Sequence, residues 1–434
     1  MNEKGIVSHQ LPDGTIWVVG SSRPNSDSNM DVVAARIDTA GNILSNFLTF
    51  GSVYPEYPNN LICQNGKIII AGEQHRPNDV NGFILVLDTA GNEISFAVFG
   101  QANQSEQFFD IEPTLDRGFV VSGFSSSGPG NDYLIGKFDS LQQLEWMQTY
   151  DLGTNESGIT ILENPMGGYV IAGDQIQFSG NFNIALLALD YAGSEIWRTI
   201  VASPHNSGCK SMVSMGDQML IAGETATSTS SAFDIFLARV DWFGNVNWTG
   251  NVPKSDYQDA CFDLAVIDNN EFVLTGYAYS TINQNSDMFA IAVDSIGNIL
   301  SEEYFDNGNV EMGFDIKPNL YGGFITTDFT IEPSTGDNQF FISFPKLNLV
   351  SSVTQNINKT SAFNLYPNPT KSKVFLSYDF LEYDFQIFDI LGKKYSFEKS
   401  DMHIDFQGLA PGIYFVVFSN KTRDKKYSRK VIKE

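Results

Sequence analysis

The chain has 434 residues, of which 42% are hydrophobic and only 18% charged; that is enough apolar material for a sizeable core and argues against a disordered chain. No window approaches the roughly 18 consecutive apolar residues that a membrane helix requires. The net charge of −25 is uneven, with 13 Lys+Arg against 42 Asp+Glu in residues 1–350 and 13 against 9 in residues 351–434, and a body so acidic repels phosphate backbones and argues against nucleic acid as a partner.

In chain order, the first elements predict a unit that then recurs. TIWVVG reads as a buried strand ending at Gly20, DVVAARI as a second strand from Asp31, and the stretch from Asp38 to Asn42 (DTAGN) as the turn after it. The same order returns with KIIIAG and GFILVLDTAGN, and again with GFVVSG, GYVIAG, QMLIAG and EFVLTG. The turn aspartates are Asp38, Asp88, Asp139, Asp190, Asp241 and Asp294, at spacings of 50, 51, 51, 51 and 53. A seventh slot falls at Pro345, and in that unit Asp328 replaces the glycine that ends the strand. Seven residues before each slot stands Asp or Asn: Asp31, Asn81, Asp132, Asn183, Asp234, Asp287 and Asn338.

Each unit offers one strand before this pair, as in FFDIEPT, and one after the turn, as in LEWMQTY. A four-stranded unit of about fifty residues cannot bury both faces alone, so it must stack on its neighbours. The first and last units are as apolar as the middle ones, which favours a closed ring over a solenoid with polar caps. The expectation is therefore an all-β chain with a seven-bladed β-propeller over residues 1–350, eight blades being the alternative if a further unit precedes Met1.

In the D-x-x-G-N turn, the Asp side chain is expected to accept backbone amides two or three residues on, and Gly41, Gly91, Gly193, Gly244 and Gly297 to supply a positive φ, with Gln142 departing from the pattern. Seven residues after three of the aspartates stand Trp146, Trp197 and Trp248, expected to pack between blades. Cys63, Cys209 and Cys261 are too few and too odd in number for a disulfide framework. A bridge between Cys209 and Cys261, at matched positions of adjacent units, requires Cα atoms within about 7 Å.

Chemistry is sparse. His9, His75, His205 and His403 are scattered, and no H-E-x-x-H, G-x-S-x-G or phosphate-loop motif occurs. The turn differs from the sialidase Asp-box in its Asp-to-Gly gap, so that activity is not carried over. No cofactor is expected. Calcium has the weak signature Asp27, Asn29, Asp31, with Asp38 at the twelfth position, but Val32 stands where a calcium loop needs glycine. What varies between units is the segment after the repeat glycine, as in SSRPNSDSNM, FSSSGPGN, ETATSTSSAF and YAYSTINQNS, all expected on one face, where binding functions usually reside.

After a polar linker at 351–361, alternation returns in short strands over 362–434, which predicts a small β-sandwich. The stretch NLYPNPT (Asn364 to Thr370, with Tyr366, Pro367, Asn368 and Pro369), the IFDILGK element with Gly392, the LAPGIYFV element with Gly412 and Tyr414, and the basic end RKVIKE with Lys430 and Lys433 resemble the C-terminal sorting domain of the type IX secretion system of Bacteroidetes. The resemblance implies an Ig-like sandwich, partnership with the type IX machinery, export across the outer membrane, cleavage of the domain and, often, attachment to lipopolysaccharide. It also implies an export leader, which MNEKGIVSHQ is not, so the leader is expected upstream of Met1. The function that follows is a secreted or surface-displayed, non-catalytic propeller that binds a glycan or another surface protein. The alternative is an extracellular polysaccharide-active enzyme with carboxylates near the central channel.

Overall fold

Apolar and alternating runs become antiparallel strands throughout, and no helix occurs among the described residues. The computed structural model describes residues 3–23, 29–45, 47–126, 130–177, 180–201, 206–226, 233–252, 257–268, 271–280, 285–306, 310–319, 323–331, 338–345 and 347, and then 365–366, 370, 373–376, 383–389, 393–395, 403–420 and 426–433. Contacts divide the chain into two units, Met1–Ser352 and Val353–Glu434.

In the first unit the described strands form seven sheets, each a meander of consecutive strands. Glu3–Gln10, Ile16–Ser22, Asp31–Ile37 and Leu48–Phe50 make the first sheet. Five further four-stranded sheets follow, led by Glu56–Gln64, Glu106–Pro113, Asn155–Glu163, Ser207–Ser214 and Tyr257–Asp268. Val310–Pro318, Phe324–Ile331 and Asn338–Ser343 form the seventh. Each leading strand lies beside the leading strands of its two neighbours, the first beside the seventh included, so the seven surround a central axis. The unit is a β-propeller.

The core is divided among the sheet interfaces. One apolar cluster joins each sheet to the next, such as Val7, Trp17, Val19 and Val32 of the first with Leu61, Ile70, Phe83 and Leu85 of the second. The last in the series packs Ile16, Val18 and Ile37 against Ile325 of the seventh sheet and so closes the ring. The middle strands carry apolar residues on both faces because both are covered, which is why GFILVLD and FNIALLAL read as continuous apolar runs. Burying a Leu, Ile or Phe contributes about 1.5–3 kcal/mol, against about 1 kcal/mol for a typical hydrogen bond, so these clusters hold the ring and polar contacts set its register.

The repeat glycine has a steric cause that periodicity alone does not reveal. All seven leading strands shift register beside the residue that faces the repeat position, at Ile6↔Gly20, Pro58↔Gly72, Gly158↔Gly173, Cys209↔Gly223, Cys261↔Gly276, Gly313↔Asp328 and, in the third sheet, Phe108↔Gly123. The bulge drives a backbone carbonyl toward the second strand. A Cβ on Gly123 would run into the Gln107 carbonyl, and one on Gly223 into that of Gly208.

One expectation, the hydrogen bonding of the recurring turn, needs correction. The seventh sheet shows three strands among the described residues, and 348–364, where its fourth strand is expected, lie outside them. Cys63, Cys209 and Cys261 are free thiols. Cys209 faces the cluster between the fourth and fifth sheets and Cys261 the cluster between the fifth and sixth, so matched positions point into different interfaces. In the turn, the amide three residues on goes to the backbone carbonyl of Asp38, while the side chain takes the amides two and four residues on.

The second unit has two sheets. One holds Leu365–Tyr366, Lys373–Leu376 and His403–Asp405; the other holds Lys394–Tyr395, Tyr383–Asp389, Gly412–Asn420 and Lys426–Lys433. Val374 and Ile404 of one pack with Ile387, Tyr414, Val416 and Val431 of the other, with Phe406 buried among them.

Candidate functional site

The recurring turn lies between the third and fourth strands of each sheet. Asp38 Oδ1 accepts the amides of Ala40 and Asn42 at 2.9 and 2.8 Å, and Oδ2 accepts Asn42 Nδ2 at 2.8 Å; these bonds, the Asn42 side chain's foremost, hold its carboxyl below the usual range. Asp88, Asp139, Asp190, Asp241 and Asp294 each take the same two amides. Gly41 has φ +82°, and Gln142 holds the equivalent conformation at φ 63°.

The turns of the fourth and fifth sheets also receive the outer strand of the preceding sheet. Trp146 Nε1 donates to the Tyr191 carbonyl at 3.2 Å and Trp197 Nε1 to that of Trp242 at 3.3 Å. Thr199 Oγ1 reaches the Gly244 carbonyl at 2.9 Å. These two turns are thus engaged between sheets.

The central axis carries a polar girdle that sequence reading missed. Asn60, Asp110, Thr160, Ser211, Asp263 and Asp315 hold one ring position, just past the bulge in their leading strands. Asp110 Oδ2 accepts the Ile161 amide at 2.9 Å, Asp263 Oδ2 the Ile316 amide at 3.0 Å, and Asp315 Oδ2 the Ser8 amide at 3.0 Å. Lys317 Nζ sits 2.7 Å from Asp315 Oδ1 and 3.1 Å from Asp263 Oδ2. Burial and the Lys317 charge lower His9 to about 4, which keeps it neutral. Burial, with repulsion from Asp110 and Glu163, raises the Glu112 carboxyl well above its usual range.

The opposite end from the turns holds the variable segments and the crossings between sheets, because a four-strand meander puts its second-to-third hairpin and its exit at the same end. Parts of these segments, 24–28, 127–129, 227–232 and 281–284, lie outside the described residues, and so does Asp27 of the calcium signature. Asp31 neighbours Glu56 there rather than Asp38, and burial, then the Glu56 charge, raises its carboxyl. Glu56, Glu106, Glu156 and Glu311 recur, buried, at or beside the start of the leading strands. Their regular spacing was readable in the sequence; their burial was not. At two junctions three carboxylates converge, Asp132 with Asp151 and Glu156, and Asp287 with Asp306 and Glu311, each set within 4.8 Å.

In the second unit, Tyr366 pairs with Phe375 and Gly412 with Lys433. Tyr414 is buried, its hydroxyl donating to the Ala410 carbonyl at 2.8 Å. Lys430 lies on the last strand beside Phe415, and Lys433 is buried. Pro367, Asn368, Pro369, Gly392 and the linker at 351–361 lie outside the described residues. The family model described as the secretion system C-terminal sorting domain matches residues 364–434.

Residues 364–434 are a secretion sorting domain. The sorting domain implies the type IX machinery of Bacteroidetes and makes this a secreted or cell-surface protein. Among the described residues no helix is long and apolar enough to cross a membrane. Among curated proteins nothing matches the chain. Solved structures similar to it include the β-propeller domain of the Trilobed protease from Pyrococcus furiosus, at 12% identity and TM-score 0.47, covering 81% of this chain and 100% of that one. A Dyadobacter fermentans protein of unknown function has 12% identity and TM-score 0.46, over 79% of this chain and 94% of its own. PorZ, a surface component of the type IX secretion system of Porphyromonas gingivalis, has 12% identity and TM-score 0.36, over 99% and 74%. At such identity the likeness carries nothing about function.

Proposed function

We propose that this type IX cargo works at the cell surface as a non-catalytic binding module, its ligand a glycan or another surface protein engaged by the variable-segment end of the propeller. The observation that carries the reading is a division of labour. The end built by the turns repeats one structural motif, which in the fourth and fifth sheets is bonded to the sheet before it, whereas the other end gathers the segments that differ from unit to unit, rich in Ser, Thr, Asn and interspersed aromatics. Such side chains suit hydroxyl-rich or polar protein surfaces.

The test is a glycan array and a surface-protein capture with the full chain, followed by exchange of 227–232 and 281–284 for Gly-Ser segments of equal length. Binding is expected to fall at least tenfold. Binding unaffected by every exchange overturns the reading.

A polysaccharide-active enzyme is the second reading, and Glu112 favours it: a half-buried carboxyl raised above its usual range beside Asp110 suits a general acid. Hydrolysis of a polysaccharide panel that Glu112→Gln abolishes would select it over the binding module.

A further inference from the structure

The acids at the junction of the third and fourth sheets are arranged differently from their counterparts in the first two sheets. Asp132 begins a third strand, Asp151 follows a fourth, and Glu156 lies in the next leading strand. One oxygen from each lies within 4.8 Å of the others. Two ligands on opposite sides of a calcium ion, each at 2.3–2.6 Å, stand about 5 Å apart, so the spacing admits calcium.

The second observation is the state of Glu156. Its Oε1 is occupied by the amide and hydroxyl of Thr154, at 2.7 and 2.8 Å. Its Oε2 is buried with no hydrogen-bond partner, in a residue only 1% exposed. The equivalent Glu56 has both oxygens taken, Oε1 by Ser52 and Gln74 and Oε2 by the Ser52 amide. A capped loop needs one carboxylate oxygen, and the other is left in Glu156 facing two more acids. Arg198 is held by two hydrogen bonds to Glu195 and donates to the Asp151 carbonyl, so its charge is felt by Asp151 and Glu156 while its guanidinium stays on Glu195.

The position of Asp151 distinguishes the junctions. In the first and second sheets its place is taken by Gly51 and Gly100, against which the Asp31 and Asn81 side chains pack so closely that a Cβ would collide. In the sixth sheet an acid returns as Asp306, beside Asp287 and the buried Glu311.

We propose that Asp132, Asp151 and Glu156 hold a calcium ion. An all-oxygen set carrying three negative charges suits a hard divalent cation, with waters completing its six to eight ligands. Bound there, the ion ties the end of one sheet to the start of the next.

The test is calcium titration calorimetry on the full chain after chelation. At least one ion per chain is expected, with Kd on the order of 0.1–1 mM or tighter. Asp151→Gly, which installs the residue found at Gly51 and Gly100, should remove one ion. Glu156→Gln, which keeps Oε1 for the Thr154 cap, should also remove one and checks the result if the glycine variant fails to fold. No saturable binding up to about 10 mM, or an unchanged stoichiometry in Asp151→Gly and Glu156→Gln, overturns the proposal.

Discussion

The carboxylate of Asp263, in the sixth sheet, accepts the backbone amide of Ile316, in the seventh, at 3.0 Å, and with it the Lys317 ammonium at 3.1 Å. Its other oxygen takes the Ser211 hydroxyl of the fifth sheet at 2.6 Å. One side chain therefore joins three sheets. Asp263→Ala should cost about 2–4 kcal/mol, because the Ile316 amide and the Ser211 hydroxyl lose their acceptor while Lys317 keeps Asp315, with the loss read from urea denaturation. Asp263→Asn should cost clearly less, because an amide oxygen still accepts.

Gly123→Ala should destabilise by about 3 kcal/mol, at the upper end for overpacking, because the new methyl meets the Gln107 carbonyl and a backbone cannot turn away as a side chain can. Gly153→Ala is the control for space: a Cβ there meets nothing within 4 Å, and only its φ of +105° opposes the change. The denaturation midpoints of the two variants should separate accordingly.

Asp328 predicts an unusual pH dependence. It is buried where other units carry glycine, with Oδ2 accepting the Thr326 and Ser343 hydroxyls, and burial raises its pKa to about 7. A carboxyl raised in the folded state stabilises in its protonated form; that contribution is complete below about pH 4 and lost as pH rises through about 7. Relative to wild type, Asp328→Asn should gain stability between those limits, by up to about 4 kcal/mol, since each tenfold difference in proton affinity between the folded and unfolded chain counts for about 1.4 kcal/mol. Thermal midpoints that run parallel from pH 4 to 8 would contradict this.

Deleting 364–434 removes the sorting domain and should leave the propeller folded but inside the outer membrane. Protease added to whole cells checks the outcome: the full protein should be cut or released, and the truncated one protected.

The propeller was legible because its period is written in short-range chemistry. A turn that needs Asp at one end and a left-handed residue three positions on repeats in plain view at Asp38, Asp88 and Asp190, and so do the strands between. The girdle was harder to see: Asp110, Asp263 and Asp315 share a Phe-Asp-Ile/Leu pattern, but a pattern present in only three units reads as strand, and the acids and Lys317 meet only when the ring closes. Glu156 was hidden for a related reason: a glutamate at a strand start reads as solvent-facing until the neighbouring sheet covers it. In the tail, the order of its four motifs identified the domain even though Pro367 to Pro369 lie outside the described residues.

The girdle is also uneven. Val7 holds in the first sheet the place that Asp110, Asp263 and Asp315 hold in theirs, and an isopropyl group cannot accept an amide. At the second sheet the Leu61 amide turns instead to its own neighbour, Asn60, at 2.7 Å. The circle therefore has a seam at this one level: the first sheet gives the second no side-chain latch from the girdle position, and a polar tie between them lies at the outer end, where the Glu56 amide donates to the Met30 carbonyl at 2.8 Å.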